Sequence, residues 1–157
     1  MPMTDAKSPE RKNPDDVLIS REVVISAPRE TVFNVLEDIK LFVELEENVK
    51  KVTITSDVKQ GKGMKSHWIM EDPGTGEHWE VEEEVVEYKK PELFSYIGNA
   101  GGKDYAGIHN LRENRDGTTH LCFNELFYFK ADPEALGRVI EGMLQNVKKE
   151  SERRNSA

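Results

Sequence analysis

Hydrophobic positions in this chain follow two periods, and the places where one gives way to the other outline the fold. VLISREVVIS, from Val17, is β-branched and apolar enough for a strand. Ala27-Pro28 ends it. Pro28, with no amide to lose and a fixed φ, starts a helix carrying Val32, Phe33, Val35 and Leu36. Ile39 to about Leu45, after Asp38, reads as a second, short helical piece. Six segments of strand character follow: Val49 to Asp57, Met64 to Met70, Trp79 to Tyr88, Leu93 to Ile97, Tyr105 to Glu113 and Thr118 to Lys130. Between them lie a Gly61/Gly63 turn, Pro73-Gly74, the stretch from Lys89 to Glu92, a glycine-rich loop at Gly98, Gly101 and Gly102, and Arg115-Asp116-Gly117. The period then becomes helical. Leu136, Val139, Ile140, Met143, Leu144 and Val147 recur at spacings of three, one, three, one and three, which places them on one stripe roughly 140° wide. Asp132 suits the cap and Pro133 the first helical position. Such a helix needs an apolar surface to lie on, and the inner face of a curved antiparallel sheet supplies one. A curved sheet closed by one long helix encloses a cavity.

Register arguments assign side chains to that inner face, because opposite residues of an antiparallel pair project to the same side. Arg115-Asp116-Gly117 suits a three-residue connection with glycine in the left-handed position, pairing Asn114 with Thr118, Leu111 with Leu121 and His109 with Phe123. One face then carries Tyr105, His109, Leu111, Leu121, Phe123, Glu125, Phe127 and Phe129, too apolar to be the wet one. His109 and Glu125 stand diagonally on it, within reach of each other. If Met70 pairs with Trp79, then Met64, Ser66, Trp68, Met70, Trp79, Val81, Glu83 and Val85 share a face. On the fifth strand Phe94 and Tyr96 are assigned inward. The remaining histidines, His67, His78 and His120, fall on the outer face or in turns, which argues against a histidine metal site.

Composition narrows the function classes. The 157 residues suit one domain, with residues 1–16 expected as a disordered tail, 17–150 as the domain and 151–157 as a flexible end. A formal charge of -8 argues against nucleic acid as the main partner. No apolar run is long enough to span a bilayer and the N-terminus lacks a signal-peptide core, so a cytoplasmic protein without stable membrane insertion is expected. The lone Cys122 excludes an internal disulfide and reads as a small buried or half-buried strand residue rather than a nucleophile. Glu80, Glu82, Glu83, Glu84 and Glu87 crowd one strand, chiefly as a solvated face. That strand and the first strand are the surfaces that would support a homodimer. There is no Gly-x-Ser-x-Gly elbow, phosphate loop or metal spacing, and nothing that calls for a cofactor.

VVISAPRETVFNVLEDIKLFVELEENVKKV resembles the opening of the polyketide cyclase/dehydrase and lipid-transport family, within the START-like (SRPBCC), Bet v 1-like superfamily: a strand ends at an Ala-Pro helix start and an aspartate, here Asp38, closes the first helix. The element order matches over about residues 17 to 150. The resemblance implies an α+β helix-grip fold, a seven-stranded antiparallel sheet wrapped around the long C-terminal helix with two short helices after the first strand, and an apolar ligand cavity between sheet and helix. Lys59-Gln60-Gly61-Lys62-Gly63 has two glycines where plant allergen relatives carry a fuller glycine loop, and reads as a plain turn.

On this reading the cavity wall comprises Ser66, Trp68, Trp79, Val81, Glu83, Phe94, Tyr96, Tyr105, Phe123 and Phe127 from the sheet and Leu136, Ile140 and Met143 from the helix. A carboxylate there is costly to keep ionised, so its pKa should rise. Glu125 and His109, with a phenol from Tyr96 or Tyr105, form the candidate acid–base set for the enolisation, ring closure and dehydration that the cyclase side of the family implies. The plainer reading is that His109 and Glu125 satisfy each other and orient a ligand. Three functions are therefore weighed, in this order: a carrier of a hydrophobic small molecule (lipid, quinone or polyketide-like), a cyclase or dehydratase, and a protein-partner-binding module with a filled interior.

Overall fold

The computed structural model describes residues 10–156, so most of the expected N-terminal tail lies outside the described residues. Seven strands form one antiparallel sheet: β1 (Val17–Ile25), β2 (Val49–Ile54), β3 (Lys65–Glu71), β4 (His78–Lys89), β5 (Leu93–Ala100), β6 (Lys103–Glu113) and β7 (Thr119–Phe127). Their spatial order is β1-β7-β6-β5-β4-β3-β2. β2 to β7 are a run of hairpins, and β1 returns to pair with β7. β1 and β2 thus occupy opposite edges. Helix α1 (Arg29–Glu37), a 3-10 turn (Ile39–Leu41) and helix α2 (Phe42–Leu45) carry the chain from one edge to the other. Pro28 caps α1, and its carbonyl accepts the Val32 amide at 3.2 Å.

The registers agree with the alternation in the sequence. Leu111 pairs with Leu121, His109 with Phe123, Met70 with Trp79 and Ser66 with Glu83. Gly117 adopts φ +86°, and the Asn114 amide donates to the Thr118 carbonyl at 2.8 Å, closing the three-residue connection. The other glycine-rich connection differs from expectation. Only Gly101 and Gly102, with φ of +61° and +92°, turn the chain between β5 and β6; Gly98 lies inside β5.

The C-terminal helix α3 spans Pro133–Ser156 and lies along the inner face, burying Ile140, Met143, Leu144 and Val147. Asp132 Oδ1 accepts the Glu134 amide at 3.0 Å as its cap. The helix does not stop where its apolar stripe stops, and residues 151–156 are helical rather than a flexible end. Polar contacts hold this last stretch. Glu152 accepts the Ser26 amide at 2.8 Å, Asn155 Nδ2 donates to the Ser26 carbonyl at 3.2 Å, and Ser151 is buried. Residues 10–16 are likewise ordered near β1: Asp16 is buried and its carboxylate accepts the amides of Lys12 and Asn13, both at 2.8 Å. Among the described residues no helix is long and apolar enough to cross a membrane.

Candidate functional site

Between the sheet's inner face and α3 lies a cavity of about 470 Å³. Its floor is aromatic and aliphatic: Trp68, Val81, Val85, Phe94, Phe123 and Phe127 from the sheet, Leu36, Ile39 and Phe42 from the crossing helices, and Leu136, Val139, Ile140 and Met143 from α3. The exposed members of the wall, Glu77, Trp79 and Lys103, mark its mouth, beside the first turns of α3. Every residue assigned to the wall from the sequence stands on it, including Ser66, Glu83, Tyr96, Tyr105, His109 and Glu125. Ser66 is turned toward its neighbour, its Oγ accepting the Trp68 Nε1–H at 2.8 Å.

The polar groups of the interior are arranged in two crossed rows. In the first, Tyr105 on β6 is level with Gly98 on β5, which is level with Glu83 on β4. In the second, Tyr96 on β5 is level with Gly107 on β6, which is level with Glu125 on β7. Each tyrosine lies across the glycine of the next strand and donates its hydroxyl to the carboxyl one strand further on: Tyr105 to Glu83 at 2.6 Å, and Tyr96 to Glu125. Neighbouring strands lie about 4.8 Å apart, so the donor must bridge two strand spacings, which a ring laid flat on the sheet achieves. Glycine is required beneath. A Cβ on Gly98 would stand 2.1 Å from Tyr105 Cζ, and one on Gly107 2.5 Å from Tyr96 Cζ. The two rings meet edge to face with centroids 6.3 Å apart.

This arrangement corrects the expected contact of His109 with Glu125. Gly107, between them along β6, leaves a lane that Tyr96 fills, so Glu125 takes the phenol. His109 is instead layered between two rings, 4.8 Å from Phe94 and 4.3 Å from Phe123 by centroid. It is 3% exposed, and its Nδ1 has no hydrogen-bond partner among the described residues. Burial pushes its pKa down to about 3, so the ring is neutral.

Burial acts the other way on the acids. Glu83 and Glu125 are both pushed up to about 8, because burial disfavours the charged form. The tyrosine hydrogen bonds oppose that rise without cancelling it, and neighbouring carboxyls, Glu46 among them, add to it. Glu46, at the end of α2, is itself raised to about 7 by burial and by Glu47. Burial, with the carboxylates beside them, holds the Tyr96 and Tyr105 phenols well above their ordinary range. Glu46 escaped the sequence reading because a one-turn helix has no period to assign its face. In the sequence Gly98 reads as part of a loop and Gly107 carries no reading of its own; a strand glycine is the signal that could have marked a close approach at Gly107.

A second cluster lies outside the cavity, on the face of β1 and β7. His120 Nε2 is 3.2 Å from Glu22 Oε1 and 3.7 Å from Cys122 Sγ, and the three ligand atoms lie within 4.8 Å of one another. Burial and the Glu22 charge raise the Cys122 pKa, opposed by Arg112, so the sulfur is a thiol.

A curved antiparallel sheet gripping a long C-terminal helix around a cavity defines the helix-grip class of proteins. Residues 16–152 match the family described as polyketide cyclase / dehydrase and lipid transport, and the chain belongs to it. No curated protein matches the chain. Solved structures share its fold at low identity. Protein CV1439 from Chromobacterium violaceum is 16% identical, with a TM-score of 0.70 over 88% of this chain and 99% of that one. The ZhuI aromatase/cyclase from Streptomyces sp. R1128 is 18% identical, with a TM-score of 0.68 over 88% and 95%. Ara h 8.0201 is 16% identical, with a TM-score of 0.66 over 88% and 97%.

Proposed function

We propose that the protein binds a hydrophobic small molecule, of the lipid, quinone or polyketide-like kind, between the sheet and α3. The observation that carries this reading is the cavity itself. Its volume of about 470 Å³ falls in the range of small-molecule sites, and its wall is apolar and aromatic with a few convergent polar groups. A partner-binding module would call for a filled interior. Native mass spectrometry of the protein purified from its own host, followed by extraction, tests the reading. A stoichiometric apolar compound is expected; an empty protein that also shows no thermal shift with lipids, quinones or aromatic polyketides would refute it.

A cyclase or dehydratase is the second reading, favoured by one observation: two carboxyls that keep their protons near neutral pH, each hydrogen-bonded to a phenol, are matched to general acid work there. Family membership and the aromatase/cyclase among its structural neighbours support it. On this reading Glu125 and Tyr96 move the proton, and His109, neutral and layered between rings, positions the substrate. Glu125→Gln would then abolish turnover of a bound polyketide while leaving its binding measurable.

A further inference from the structure

We infer that the second cluster, Glu22, His120 and Cys122, is a binding site for one Zn2+ ion, built across β1 and β7 on the outer face of the sheet and independent of the cavity. The register of the sheet creates it. Glu22 on β1 is level with Cys122 on β7, and His120, two residues before Cys122, projects to the same face. β1 is the first strand of the chain and β7 the last, so no hairpin pattern in the sequence brings Glu22 to the other two. Among the described residues this is the one place where three such groups each bring a ligand atom to within 4.8 Å of the others.

The spacing fits a tetrahedral ion. Zinc bonds of their usual lengths, set at tetrahedral angles, hold a thiolate sulfur about 3.6 Å from an imidazole nitrogen and a carboxylate oxygen about 3.3 Å from it. Here Cys122 Sγ is 3.7 Å from His120 Nε2, and Glu22 Oε1 is 3.2 Å from the same nitrogen. One ring nitrogen thus faces two partners, although it has a single in-plane position for a proton or a lone pair. With a proton it serves Glu22 and leaves the thiol; without one it accepts from the thiol and turns its lone pair toward a carboxylate. A cation among the three atoms serves all of them.

The donor set decides which cation. A thiolate and an imidazole disfavour the hard ions Mg2+ and Ca2+, and three protein ligands with an open fourth position is a pattern that zinc accepts. The Glu22 side chain is 71% exposed and that of His120 23%, with Cys122 half-buried, so the ion enters from solvent and water takes the fourth position. On binding, the S–H bond of Cys122 is replaced by S–Zn and its proton passes to the buffer. The thiolate and the Glu22 carboxylate then balance the ion's two charges, so the exposed Arg112, level with His120 on β6, faces a cluster of no net charge. The bound ion clamps β1, at the edge of the sheet, to β7.

The full chain, reduced and stripped of metal, is titrated with Zn2+ against a chromophoric chelator, and with Co2+ as a spectroscopic stand-in. One Zn2+ per chain is expected to bind with a Kd below about 10 μM. Co2+ should give a thiolate-to-cobalt charge-transfer band and the intense visible bands of a four-coordinate ion. Cys122→Ser should abolish the charge-transfer band, and both it and His120→Ala should weaken Zn2+ binding about tenfold or more. His67→Ala, which removes the 2.6 Å pair of His67 with Glu80 elsewhere on the sheet, should leave both readouts unchanged. If a variant does not fold, the cobalt spectrum of the unmodified protein decides alone. Weaker binding than this, a cobalt spectrum without the thiolate band, or zinc affinity that survives Cys122→Ser overturns the inference.

Discussion

Raising the pH through neutrality should destabilise this protein, and Glu83 and Glu125 are the reason. In the unfolded chain each titrates near its ordinary value of 4.5; in the folded protein each is pushed up to about 8. Between those values the folded state keeps protons that the unfolded state has lost. The stability these groups contribute is therefore complete below about pH 4.5 and falls as the pH rises toward 8. His109 works in the opposite sense, since a pKa lowered from 6.5 to about 3 adds stability as the pH climbs through that interval. The window from pH 6.5 to 8 isolates the carboxyls. One retained proton costs about 1.4 kcal/mol per pH unit, so about 2 kcal/mol is lost per carboxyl across the window. For a domain of this size each carboxyl then lowers Tm by roughly 4–8 °C, and the two together by roughly twice that. The assay is calorimetric melting at constant ionic strength, with Glu83→Gln/Glu125→Gln as the comparison. Glutamine keeps the shape of the protonated acid and still accepts the tyrosine hydroxyl, but has no proton to lose. The variant should keep only the smaller slope that Glu46, raised to about 7, supplies in this window. A variant that keeps the parent slope, or a parent with no slope, would refute the reading that burial raises these acids.

Three further perturbations probe the rest of the architecture by thermal or urea melts. Gly98→Ala places a methyl group 2.1 Å from Tyr105 Cζ and should cost about 1–3 kcal/mol by forcing the ring off the sheet; an unchanged Tm would mean that the ring does not rest there. Ile140→Asp puts a charge on the buried stripe of α3 and should cost several kcal/mol, so a variant with normal stability and ligand uptake would contradict the seating of the helix. Truncation after Glu150 removes Ser151, Glu152 and Asn155 from the β1–α1 corner and should lower stability by about 1–3 kcal/mol, whereas no loss would show that the last turns of α3 are dispensable.

Strand and helix identities, the face that each of β3 to β7 buries and the register of two hairpins were legible in the sequence, because each rests on local rules. Alternation at period two, turn chemistry around Gly117 and the stripe from Leu136 to Val147 act over a few residues. The same rules brought Glu83, Glu125, His109 and both tyrosines to one wall. What hydrophobic period could not reach was the extent of α3, since its last turns are held by polar contacts to Ser26 rather than by an apolar stripe. Nor could it reach the pairing of the interior's polar groups. Tyr105 reaches Glu83, and Tyr96 reaches Glu125, only because a third strand places a glycine under each ring. Which partner a side chain takes across three strands depends on clearance above the sheet, a property of the assembled sheet. The raised carboxyl pKa values have the same origin. The carboxyls themselves were visible in the sequence, but their affinity for protons is set by their burial in the assembled fold.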